Sequence, residues 1–381
     1  MIPGRRCHRE EGARVIQSVQ FINFKAYRSL DLDLEPFTVL VGPNASGKTT
    51  LLDGLRMPAM LAPPPDELPI ERVIPERFRS FGVSQPTELT FDARYEGYLG
   101  EVRVWGAGGP VARGPLSFAA SKESEPGLRR ANTKLLQFLR TATLLRFEAR
   151  KLADASYSEE QVPAVASDGT GLASTIAFLK LSHEDLFGEI ESALKQVVPT
   201  VRKIRVERAS VEQSSLRTIA LDEQTTHVSE KRTLWGNRLV LDMQGAKGVP
   251  ADSVGEGTLM ALGLLTVLLG PQRPKLLLMD DIELALHPVA QGKLIEVLRA
   301  IQKNDPELQI VATSHSPFIL NYLKPEEIRM TFLAENGFAR CEKLTAHPEF
   351  EKWKDLMSPG EFWSTVGESW IGKVPASAPH E

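Results

Sequence analysis

Cysteine is nearly absent: Cys7 and Cys341 stand alone in 381 residues. Two thiols so far apart, with no further ligands at metal spacing, argue against a disulfide framework or a zinc module and suit a reducing cytoplasm. Long hydrophobic runs are missing as well. The longest, residues 259–269, is broken by Gly263 and Thr266 and falls short of the ~18 residues that a membrane helix needs, so no membrane is expected as a partner. Nor is there an excess of one charge. A net charge of −4 exerts no general pull on nucleic acid, and any contact with DNA has to come from a local basic patch. The opening residues are basic (Arg5, Arg6, Arg9) but lack the apolar core of a signal peptide, and residues 1–14 read as a frayed tail. No internal repeat or heptad seam is present. What remains, 42% hydrophobic and 25% charged residues, is the composition of a packed protein of one large or two modest domains.

Against this background one segment stands out. Gly42-Pro43-Asn44-Ala45-Ser46-Gly47-Lys48-Thr49 fits the phosphate-loop pattern G-x-x-x-x-G-K-[ST]. It follows an apolar run at residues 37–41 and opens a helix-like stretch at 50–55, which is the strand–turn–helix setting the motif requires. Glycine lets the backbone N–H groups of Asn44, Ala45, Ser46 and Gly47 turn toward phosphate, and the helix N-terminus, where Thr50 follows, adds partial positive charge. Lys48 is placed for the β- and γ-phosphates of ATP and Thr49 for Mg²⁺.

Around this motif the pattern is α/β. Residues 15–24 and 30–34 read as strands, 58–75 as a proline-rich loop, 88–98 and 101–105 as a hairpin, and 106–114 as a surface loop. From 121 to 198 the pattern turns helical, then returns to strand at 201–207, with further short strands from 218 to 241 around a polar bend at Asp222-Glu223-Gln224. A helix is expected at 258–269, a buried strand at 275–281, a helix at 289–300 and another strand at 309–313.

The strand at 275–281 ends in paired carboxylates, Asp280 and Asp281. Asp280 is placed to hold Mg²⁺, and Asp281 to act as the base that polarises an attacking water. Some 30 residues on, the apolar strand Gln309-Ile310-Val311-Ala312-Thr313 ends in Ser314-His315-Ser316. There His315 can reach a γ-phosphate.

Together GPNASGKTT, LLLMDDIELALHP and ATSHSPFIL, with the opening VQFINFKAYRSLDLDL, resemble the ABC-type ATPases of the RecF/SMC/OLD group, the AAA-family ATPases of the abortive-infection and anti-phage kind. The resemblance covers residues 15–330. It implies a P-loop NTPase of ABC-head type, with a mixed β-sheet core, an antiparallel β subdomain and a mainly helical insertion. The corresponding division is an N-terminal core part at 15–120, the insertion at 121–200, a C-terminal core part at 201–335 and a tail at 336–381. It also implies ATP hydrolysis in a homodimer or higher oligomer whose signature segment, here Gly255-Glu256-Gly257 within 253–259, meets the partner's γ-phosphate. Three departures stand out. The signature serine aligns with Gly255 or is shifted to Ser253. The catalytic glutamate aligns with the shorter Asp281, so turnover is expected to be slow. The glutamine that also ligates Mg²⁺ has Gln85 as its best candidate. OLD nucleases carry a Toprim domain, and the roughly 50 residues after the core are too few for one. A separate effector, a nuclease or Toprim-like protein, is therefore the expected partner, with DNA as a further one. A RecF-like DNA-repair ATPase and an ATP-gated scaffold with little turnover are the rival readings.

Two basic clusters, Arg146/Arg150/Lys151 and Arg202/Lys203/Arg205/Arg208, suit either phosphate contacts or a solvated face. Trp363 and Trp370 in the tail suit either a docking site or packing back onto the core.

Overall fold

The run Phe37–Val41, FTVLV, offers no side chain that requires water, and it is buried along its whole length. Leu276–Met279 and Gln309–Ser314 are equally buried. Strands hidden on both faces belong to the middle of a covered parallel sheet. The computed structural model describes residues 15–61, 74–95, 97–105, 116–117, 126–221 and 224–373. In chain order the elements are β1 (Ser18–Phe24), β2 (Tyr27–Asp33), β3 (Phe37–Val41), α1 (Lys48–Leu61), β4 (Glu88–Tyr95), β5 (Tyr98–Trp105), β6 (Leu116–Ser117) and α2 (Pro126–Arg140). There follow β7 (Thr143–Leu145), α3 (Ala149–Ala153), α4 (Leu172–Ser182), α5 (Glu184–Val197), β8 (Val201–Leu221), β9 (Gln224–Met243), β10 (Ala246–Pro250) and α6 (Glu256–Leu269). The last are β11 (Leu276–Met279), α7 (Pro288–Asn304), β12 (Gln309–Ser314), α8 (Pro317–Leu320), β13 (Ile328–Leu333), β14 (Ala339–Lys343), α9 (Phe350–Trp353) and α10 (Pro359–Val366).

The chain divides into two compact units: residues 1–144, 274–283 and 298–381 in the first, and 145–273 with 284–297 in the second. The first unit holds two sheets. One, in the order β2-β1-β4-β5-β6, is antiparallel; the other runs β14-β13-β3-β12-β11-β7. In the second sheet β12 lies between β3 and β11 and is parallel to both, β13 is parallel to β3, and β14 is antiparallel to β13. Ser314 stands opposite Val41, and Ala312 opposite Met279, so β3 and β12 end level at one edge and β11 stops two residues short, where Asp280 and Asp281 continue. Ligands of open α/β sheets bind at that carboxyl edge. α1 packs Leu51, Leu52 and Leu55 into a core shared with Phe21, Phe24 and Phe91 of the antiparallel sheet. Gln309 joins the start of β12 to the segment before β1, its side chain accepting from Ile16 N and donating to Ile16 O.

In the second unit α4, α5 and α6 pack together, and the bases of β8 and β9 cover them with Ile204, Leu239 and Leu241. Two expectations change here. The short strands foreseen between 218 and 241 are parts of two long ones, 21 and 20 residues, paired from Val201↔Met243 to Leu221↔Gln224. In the sequence from Arg205 to Glu212 polar residues fall at both odd and even positions, which erases the alternation by which a long strand announces itself. The helical stretch foreseen at 121–198 is interrupted by β7 and by non-helical chain between Asp154 and Gly171, where Pro163 and two glycines stop any helix. α1 also runs past Pro58 to Leu61; residues 62–73 of the loop foreseen there, and the loop at 106–114, lie outside the described residues. Among the described residues no helix is long and apolar enough to cross a membrane.

Candidate nucleotide site

The loop between β3 and α1 wraps over the carboxyl edge. Gly42 has φ of 147°, and a Cβ there would stand 2.3 Å from Thr331 O, so only glycine fits. Asn44, Ala45 and Thr49 are exposed, Ser46, Gly47 and Lys48 are buried, and Thr50 is half-buried. Ala45 takes a left-handed φ of 61°. Lys48 Nζ donates to Gly42 O and Pro43 O, both at 2.8 Å. Burial lowers the lysine's pKa; the charges of Asp281, Asp280, Glu368 and Glu283 act the other way. The cation is thus held at the loop's mouth among acidic neighbours.

Asp280, at the Walker B position where β11 ends, lies one strand beyond β12 as seen from β3. Thr49 Oγ1 stands 3.5 Å from Asp280 Oδ2. Mg²⁺ at 2.0–2.1 Å from each ligand sets adjacent oxygens about 3 Å apart, so the pair fits after closing by roughly half an ångström. Both are hard oxygen donors, the chemistry Mg²⁺ prefers. Among the described residues no group of three or more His, Cys, Asp and Glu side chains forms a metal cage; phosphate oxygens and water would complete the shell. Gln85 is exposed in the loop before β4, where Asn23 Nδ2 donates to its neighbour Pro86 O.

Asp281 and His315 do come together, with His315 Nε2 3.9 Å from Asp281 Oδ1. Desolvation raises the Asp281 pKa, with Glu283 and Asp280 adding to the shift and His315 and Lys48 opposing it. Its backbone sits at φ 57°, a left-handed conformation that aspartate tolerates better than most residues and that clusters at functional sites.

Three residues that the sequence reading missed organise this edge. Thr313, fully buried, donates to Asp280 Oδ1 at 2.7 Å and accepts from Asp281 N at 2.9 Å. Glu283 Oε1 accepts from His315 N at 2.9 Å, while its buried Oε2 has no partner. Thr331, on the other flank of β3, donates to Val41 O at 3.0 Å, so at 2.5 Å Ser46 Oγ is the donor to Thr331 Oγ1. That chain of hydroxyls ties the phosphate loop to β13. Thr331→Val keeps the volume but leaves the buried Ser46 hydroxyl unsatisfied, at about 1–3 kcal/mol. ATP affinity measured by fluorescent-analogue titration should fall about 10-fold, and Thr331→Ser should restore it.

The signature segment lies in the second unit and is described there. Gly255 and Glu256 are exposed at the start of α6, whereas Gly257 is buried. A Cβ on Gly257 would stand 2.9 Å from Ala285 O and 3.0 Å from Leu284 O. Leu284 and Ala285 are themselves left-handed, at φ 50° and 53°.

Of the basic clusters, the one on β8 is partly neutralised, since Arg205 pairs with Asp242 at 2.6 Å. In the tail, Trp370 is buried with its ring 5.0 Å from His347, and Trp363 Nε1 donates to Glu368 at 2.6 Å.

Comparison with known proteins gives the family and the fold. Residues 37–321 match the family model described as "AAA domain, putative AbiEii toxin, Type IV TA system". The chain belongs to that AAA family. Residues 15–57 also match a model described as "AAA ATPase domain". Among solved structures, an Smc head bound to the C-winged helix domain of ScpA aligns with a TM-score of 0.51 at 13% identity, over 88% of this chain and 99% of that one. An Smc head with an extended coiled coil, bound to a ScpA C-terminal domain derived from Pyrococcus furiosus, aligns with a TM-score of 0.51 at 12% identity, over 90% and 99%. No curated protein matches. At such identity the likeness is one of fold: this AAA-family chain has the P-loop α/β fold of an SMC head, an ABC-type ATPase group.

Proposed function

We propose that this AAA-family protein binds ATP with Mg²⁺, hydrolyses it slowly, and uses it to close and open a head-to-tail dimer. The supporting observation is the junction of Thr49 with Asp280 beside Lys48, 3.5 Å apart at the carboxyl edge where β12 separates β3 from β11. The backbone N–H groups of residues 44–48 and the Lys48 ammonium would hold the β- and γ-phosphates. Thr49 and Asp280 would hold Mg²⁺, which when bound neutralises phosphate charge. Asp281 would take the proton of the attacking water, with His315 beside it and Glu283 bracing the His315 backbone. Thr313 holds both aspartates in place. In this reading Gly255 and Glu256, exposed at a helix start, face the partner's nucleotide, and each site is complete only in the dimer. The γ-phosphate provides the differential contact that makes a switch. The switch would act on DNA or a separate effector, and the type IV toxin–antitoxin description of the matching family supports a place in bacterial defence.

The test is phosphate release and solution mass of purified wild-type and Lys48→Ala protein, with and without ATP. Wild-type turnover with an ATP-dependent dimer, both lost in Lys48→Ala, is the expected result. A wild-type protein that binds and dimerises without measurable turnover would make it an ATP-gated scaffold instead. A protein whose mass and turnover ignore ATP would overturn the proposal.

A further inference from the structure

Helix α2 carries four basic side chains, Arg129, Arg130, Lys134 and Arg140, and no acidic one. Its two faces differ sharply. Ala131, Leu135, Phe138 and Leu139 are buried in the core that also takes Leu51, Leu52 and Leu55 of α1. Asn132 Oδ1 accepts from Glu101 N at 2.9 Å and pins the helix to β5. Arg129, Arg130, Thr133, Gln137 and Arg140 face outward. Lys134 is engaged in a contact of its own, but Arg129, Arg130 and Arg140 have no side-chain ion pair among the described residues. In a chain of net charge −4 this is a concentrated positive surface on one rigid element.

The chemistry of the face narrows its partner. An anionic membrane would be joined by buried apolar side chains, and none of the exposed large hydrophobic residues lies on α2. Single-stranded nucleic acid would call for exposed rings on which bases stack; the Tyr98 ring beside the helix is packed against Gly127. A protein partner would seek aromatic or aliphatic anchors at the centre of the interface, and the face has none. Guanidinium forks interspersed with threonine and glutamine are the groups that contact phosphate oxygens. From Arg129 to Arg140 the face runs about 16 Å along the helix axis, the length of about five phosphates on one strand.

We propose that the exposed face of α2 docks the phosphate backbone of a nucleic-acid duplex through Arg129, Arg130 and Arg140. This deepens the nucleic-acid branch of the proposed function, and its test is run without nucleotide, so failure of the ATP reading would be a separate result. The probe is a labelled DNA duplex of about 30 base pairs and arbitrary sequence, followed by anisotropy across a salt series. Three phosphate contacts predict that log K falls with log salt concentration at a slope of about −2.7. The double variant Arg129→Gln/Arg130→Gln should bind about 10-fold more weakly at low salt and lose about 2 from that slope. Both residues are exposed, so melting temperature and ATP-analogue affinity should be unchanged. The proposal is overturned if the wild-type protein does not hold the duplex, or if the variant binds it as wild type does. It is equally overturned if the substitutions weaken binding to phosphatidylserine vesicles or polyglutamate while leaving duplex binding intact.

Discussion

Asp281→Asn is expected to lower ATP turnover by about 10²–10⁴-fold, the usual range for loss of a positioned general base, and to leave ATP affinity nearly unchanged. The separation of the two effects follows from geometry. The groups placed for the phosphates are the loop backbone and Lys48, which is buried and held by loop carbonyls. Asp281 points its carboxylate toward His315, at 3.9 Å. Asparagine keeps the shape and removes the proton acceptor. The variant should therefore accumulate as an ATP-bound dimer, detectable by light scattering. The pH profile is a second readout. Desolvation and then the neighbouring carboxylates Glu283 and Asp280 raise the Asp281 pKa, and the base works only when ionised. Wild-type turnover should therefore fall on acidification at a higher pH than an ordinary aspartate would give. An Asp281→Asn enzyme with wild-type turnover would remove Asp281 from the chemistry and move attention to Glu283, whose Oε2 is buried without a partner.

Thr313→Val is the second large effect. The hydroxyl serves two aspartates at once, as donor to the Asp280 carboxylate and acceptor from the Asp281 amide. It is completely buried, so water cannot stand in for it. Valine fills the same volume but leaves the part-buried Asp281 N–H without its acceptor and removes one hold on the Asp280 carboxylate, at about 1–3 kcal/mol for each lost partner. The expected result is a turnover about 100-fold lower, with half-maximal rate at a higher Mg²⁺ concentration than in wild type. Thr313→Ser should recover most of both. A Thr313→Val protein that loses stability but keeps its Mg²⁺ dependence would show the threonine to be a packing residue only.

How much of this was legible in the sequence depended on distance along the chain. The phosphate loop is eight consecutive residues with a steric reason for its glycines, and Asp280 and Asp281 close an apolar run, so local pattern suffices for them. Thr313 and Thr331 are threonines in strands, where β-branched residues are ordinary. Their hydroxyls matter because β12 and β13 flank β3, and Thr331 meets Ser46 across 285 positions. No spacing rule reaches that far. Glu283 was hidden differently: it sits in a turn after Walker B, and its bond is to a backbone N–H that no side-chain motif encodes. The β8–β9 ribbon was legible only at its apolar base, because from Arg205 to Glu212 polar residues fall at both odd and even positions.

The flanking of β3 has a consequence for how the protein is made. β3 ends at Val41, but the strands on its two sides, β12 and β13, begin only at Gln309 and Ile328. At about 5–20 residues per second, the buried strand FTVLV waits roughly 15–60 s for either neighbour, while β1, β2, β4 and β5 can pair among themselves much sooner. A nascent chain stalled or truncated before residue 309 would carry an intact phosphate-loop motif with no sheet to hold it, and a hydrophobic strand with both edges open. Such a fragment is a client for chaperones rather than a reduced ATPase.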